Sequence, residues 1–109
     1  MKIAAKCLVL LASLVVHVCF AGQQTGVVAS LVKRNSDGLL YFYISGSAPG
    51  KPACATQSYW IIKDENSNSG KQILALLMMA RSTGQAITVQ GSNTCTRWGD
   101  GEDVDSVFL

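Results

Sequence analysis

Five short segments rich in β-branched and aromatic residues, one helix-patterned stretch between the third and fourth, and turn residues at the junctions predict a mainly β protein. The expected fold is a small five-stranded barrel of the oligonucleotide/oligosaccharide-binding (OB) type with one helix between strands 3 and 4. An open mixed sheet with the helix packed on one face fits the same pattern, because periodicity alone does not set strand order.

The first strand is read at residues 26–33 (GVVASLVK) and the second at 39–45 (LLYFYIS), with Asn35, Ser36, Asp37 and Gly38 as the hairpin turn between them. Neither alternates strictly, which suits a sheet covered on both faces, in a closed barrel or at a subunit contact. A regular second strand puts Tyr41 and Tyr43 on the face opposite Phe42. Residues 46–52 form a loop, 59–63 (YWIIK) the third strand, and 64–69 a polar turn.

Residues 70–83 read as a helix, capped by Asn68 or Ser69 and stopped by Gly84. Ile73, Leu76, Leu77 and Ala80 make one apolar stripe, yet Leu74, Met78, Met79 and Ala75 widen it around the helix. Either the helix also packs on another subunit, through Leu74, Met78 and Met79, or its core face is unusually wide. Residues 86–90 (AITVQ) are the fourth strand and 95–98 lie in or beside the fifth, after which Val104, Val107, Phe108 and Leu109 return the tail to the barrel.

Residues 1–21 carry the pattern of a removable signal peptide. Lys2 and Lys6 begin it, residues 8–16 are its apolar run, and Cys19, Phe20 and Ala21 present the small residues read at a cut after Ala21. The apolar run is short of the roughly 20 residues of a bilayer span and is followed by His17, so the expectation is no membrane span and a secreted or periplasmic product. Residues 22–109 are then one domain.

Removing the leader deletes the only histidine, His17, and leaves Cys54 and Cys95 as the two cysteines. An even pair in an exported chain this short predicts a disulfide, worth on the order of 4 kcal/mol. Seven cationic and seven anionic side chains remain, with no basic cluster to suit a nucleic acid.

Without histidine or a free thiol, the usual general base, nucleophile pairs and common zinc sites are missing, so no catalytic role, metal or cofactor is expected. Asp100, Glu102, Asp103 and Asp105 lie in a polar, glycine-containing stretch and read as solvated carboxylates. Binding is the better reading: Tyr41, Tyr43, Tyr59 and Trp98 offer flat surfaces for a sugar ring and Thr25, Ser45, Ser47, Thr56, Gln57 and Ser58 neutral hydrogen-bonding groups, with Phe42 and Trp60 in the core.

The segments 25–28 (TGVV), 40–46 (LYFYISG) and 53–55 (ACA), then the helix, Gly84, the strand at 86–90 and the late Cys95, resemble the receptor-binding B subunits of subtilase-cytotoxin and pertussis-like AB5 toxins. Related small exported proteins also carry a Trp-Gly-Asp segment, here Trp98, Gly99 and Asp100, before a hydrophobic tail. That resemblance implies an OB barrel in a homopentameric ring with the helices lining its channel. It also implies a toxin A subunit as partner and a cell-surface sialylated glycan bound near Thr25, in a small polar site that Thr25 and Ser45 share beside Tyr43 or Trp98, although Ser45 and Ser47 stand where the relatives have an acidic contact. The alternative is a structural or protein-interaction module on the same barrel without sugar binding.

Overall fold

The computed structural model describes residues 21–109, so of the expected leader only Ala21 lies among the described residues. Two strands replace the expected first one: β1 (Gln23–Gly26) and β2 (Val28–Lys33), separated by Val27 alone. They are followed by β3 (Leu40–Ile44), the two-residue β4 (Trp60–Ile61), helix α1 (Asn68–Thr83), β5 (Ile87–Gly91) and β6 (Glu102–Phe108).

The six strands form one mixed sheet in the order β1-β5-β6-β4-β3-β2. Its neighbours are antiparallel except β4 and β6, which run parallel with Trp60 opposite Glu102 and Ile61 opposite Asp103. This corrects the five-stranded closed barrel: the sheet has six strands and ends on β1 and β2, which are not hydrogen-bonded to each other. The reason lies in the chain, since an antiparallel pair needs a loop of at least about two residues and only Val27 separates β1 from β2. One extended run therefore serves both ends of the sheet. The Gln24 side chain instead ties β1 to the end of β3 and to β4. The Gln24 amide donates from Nε2 to the carbonyls of Ile44, Ser45 and Gly46 at 3.2, 3.2 and 3.0 Å, and its Oε1 accepts from Trp60 Nε1 at 2.8 Å.

Alternation on β3 sends Leu40, Phe42 and Ile44 inward, where they meet Trp60, Ile87, Val89, Val104 and the α1 residues Leu77 and Ala80. Phe42 and Trp60 are fully buried, as expected. The cap falls one residue before the expected pair, at Ser67, which has extended backbone and whose hydroxyl accepts from Gly70 N at 2.9 Å, so the helix starts at Asn68 rather than at residue 70. It stops at Gly84, whose φ of 71° is the left-handed conformation glycine supplies without strain.

The expected fifth strand is also corrected. Residues 95–98 are irregular, and the last strand is β6. The Cys54–Cys95 disulfide is formed, with 6.2 Å between its Cα atoms, tying the loop after β3 to the loop between β5 and β6. Among the described residues no helix is long and apolar enough to cross a membrane.

Candidate functional site

Because β3 sends its even-numbered residues inward, Tyr41 and Tyr43 stand half-buried on the outer face. Tyr59, just before β4, joins them, with ring centroids 5.0 Å from Tyr41 and 5.7 Å from Tyr43 and nearly perpendicular to the latter. The Tyr59 hydroxyl donates to the Asp100 carboxylate, and burial together with that bond pushes its ionisation up to about 12. Trp98 is 37% exposed, with the Arg34 guanidinium 4.4 Å above its ring. Arg34 is in turn held by Asp37, whose carboxyl that hydrogen bond, helped by Leu39 N–H, lowers to about 2.

The four residues expected to share a pocket are dispersed in role. Thr25 Oγ1 is bonded to Thr88 Oγ1 at 2.9 Å, and Ser45 Oγ accepts from Val27 N at 2.9 Å, so both hydroxyls are engaged by the protein. Tyr43 belongs to the tyrosine cluster and Trp98 to the Arg34 contact. A surface cavity of about 210 Å³ opens elsewhere, near the start of α1 between Ile62, Ser67, Ile73 and Asp105, and none of the four lines it. Tyr41 and Tyr59 complete the cluster that sequence reasoning reduced to Tyr43; the Tyr-Phe-Tyr alternation was its visible signal.

Helix α1 carries two exposed apolar side chains side by side, Met78 at 56% and Met79 at 47%, and the tail expected to return to the core ends instead on a second exposed pair, Phe108 and Leu109. Leu74, expected with them at an interface, is half-buried and packs against the core, as does Ile73. The exposed face reads Lys71, Gln72, Ala75, Met78, Met79 and Ser82. Ser82 turns its hydroxyl back onto the carbonyls of Met78 and Met79 at 2.9 and 3.1 Å, which leaves the middle of this face uncharged and nearly free of open hydrogen-bonding groups.

The acidic stretch departs furthest from expectation. Glu102 and Asp103, read as solvated, are both 0% exposed. Glu102 accepts from Gly22 N with both oxygens at 3.2 Å and from Asn93 N at 3.0 Å, the latter in a left-handed turn with φ 63°. Asp103 accepts from Thr94 Oγ1 at 2.7 Å, from Thr96 N and Oγ1 at 2.9 and 2.6 Å, and from Arg97 N at 3.3 Å. Burial opposes its charge, but the bonds from Thr96, Thr94 and Arg97 outweigh it and hold the carboxyl below its ordinary range. These carboxylates are structural clamps: Asp103 fastens the loop that carries Cys95 and Trp98.

No family model matches the chain, and neither a curated protein nor a solved structure does. The expectation of a glycan-binding toxin-type subunit is corrected on the architecture. It presupposed a closed barrel, and the sheet is open.

Proposed function

We propose that this is an exported, non-catalytic domain whose working contact is with a second copy of itself through the exposed face of α1. The adjacent exposure of Met78 and Met79 carries the reading. Their face is nearly symmetric about its own midpoint, with Met78 and Met79 in the centre and Ala75 and Ser82 one turn out. A twofold axis through that midpoint sets two antiparallel helices so that Ala75 lies opposite Ser82 of the other copy and the methionines lie opposite one another. The same register sets Arg81 opposite Leu76 and Lys71 past the end of the other helix, so no like charges are opposed. The leader pattern supports export and the disulfide suits an oxidising compartment.

Each half-exposed methionine gains roughly 1 kcal/mol on burial, four of them less than the cost of association, so the methionines alone do not hold a dimer and the flanking contacts of Ala75 and Ser82 must supply the rest. Light scattering on the disulfide-bonded protein is the test. A mass rising toward two subunits is expected from roughly tens to hundreds of micromolar, while Met78→Glu with Met79→Glu stays at one subunit with Tm changed by less than about 3 °C, because the sites are exposed. A wild-type mass of one subunit throughout that range would end the proposal.

A further inference from the structure

We propose that cleavage after Ala21 is a structural switch: it converts the backbone N–H of Gly22 into an α-ammonium that forms a buried ion pair with Glu102. The inference rests on the export reading above and deepens it.

Glu102 is fully buried, and its donors are the backbone N–H groups of Gly22 and Asn93. Among the described residues the two ion pairs are Arg34 with Asp37 and Arg97 with Glu65, so neither neutralises Glu102. Lys51 is near, but its ammonium lies 3.9 Å over the Trp60 ring and donates to the carbonyls of Ser58 and Tyr59 at 3.5 and 3.2 Å. A buried carboxylate without a full counter-charge is costly. The one group placed symmetrically on it, 3.2 Å from each oxygen, is the nitrogen that the leader cut would liberate.

Hydrolysis adds one water across the Ala21–Gly22 bond. The Ala21 carbonyl carbon takes the oxygen and departs with the leader as a carboxylate, and the Gly22 nitrogen keeps its hydrogen and ends with three, as an ammonium below pH about 8. Its position is already held, because Gly22 O accepts from Gly91 N at 2.9 Å in the continuation of the β1–β5 ladder. The residue after the cut must be glycine: a Cβ there would meet Glu102 Oε1 at 2.5 Å and Lys51 Cγ at 2.6 Å. Gly22 is buried, so the cut precedes folding and folding then captures the charge.

The test begins with the full chain expressed with its leader and collected after export. Intact mass must show Gly22 as the first residue; any other start overturns both the export cut and the switch. Given that start, NMR titration of the Gly22 α-amino group is expected to show its pKa raised by at least one unit above about 8. A second protein carries one alanine inserted between Ala21 and Gly22, which moves the charge away and restores an amide at Gly22. Its Tm at neutral pH should fall by about 5–10 °C. A raised folded pKa gives stability that is complete below about pH 8 and lost as pH rises through the folded value, so the gap between the two proteins should close from about pH 8 to 10. Glu102→Gln should erase the gap between the two N-termini. An unshifted α-amino group with equal Tm values would overturn the switch while leaving export intact.

Discussion

Glu102 and Asp103 are consecutive residues of β6, equally buried, and they are held in opposite ways. Glu102 faces backbone nitrogens, and what admits it is the absence of side chains: a Cβ on Gly91 would stand 1.9 Å from its Oε2 and one on Gly22 2.5 Å from its Oε1. Asp103 is gripped by what is present, two threonine hydroxyls and two backbone N–H groups within one short loop. The contrast shows two ways to bury a carboxylate: clear a space between strand ends, or wrap a polar loop around the charge.

The largest effect is expected where the cleared space is filled. Gly91→Ala forces the Glu102 carboxylate off its donors and leaves a buried charge uncompensated, a loss of about 3–5 kcal/mol in urea unfolding. A loss below about 1 kcal/mol would mean that the strand ends yield easily, and the contrast with the wrapped loop would collapse.

Next comes Asp103→Asn, which keeps the volume and removes the charge that four donors face, for an expected loss of about 2–3 kcal/mol at neutral pH. Its pH dependence sharpens the comparison. The folded carboxyl is held below its ordinary range, so its stabilisation is present above the unfolded value near 4 and disappears as pH falls through the lower folded value. The gap between wild type and variant should therefore narrow from about pH 5 downward. A gap unchanged to about pH 2 would show that the charge contributes nothing.

The smallest effect belongs to a single hydroxyl. Thr94→Val removes one of the bonds to Asp103 for about 1 kcal/mol. Combined with Asp103→Asn it should cost less than the two separate losses added, since both act on one network; strict additivity in denaturant unfolding would place Thr94 outside it.

Much of the secondary structure was legible from the chain. The hairpin around Asn35 to Gly38, the inward Phe42 with outward Tyr41 and Tyr43, the helix stopped by Gly84 and the Cys54–Cys95 pairing follow from local periodicity, turn chemistry and cysteine number. The acidic stretch was misread because burial of Glu102 and Asp103 depends on partners from Gly22, Asn93, Thr94 and Thr96, which a local window weighs only as polar neighbours.

Sequence alone determined where the chain turns, which residues of β3 face inward, and that two cysteines were available to pair. Only the tertiary structure decided that residues 23–33 divide at Val27 and occupy both ends of an open sheet, that Thr25 Oγ1 meets Thr88 and Ser45 Oγ meets Val27 N, and that Met78 and Met79 stay outside while Leu74 turns in. The physical reason is range. Periodicity and turn propensity act over a few residues, whereas the partner that satisfies a buried Glu102 comes from 80 positions away and is chosen by packing.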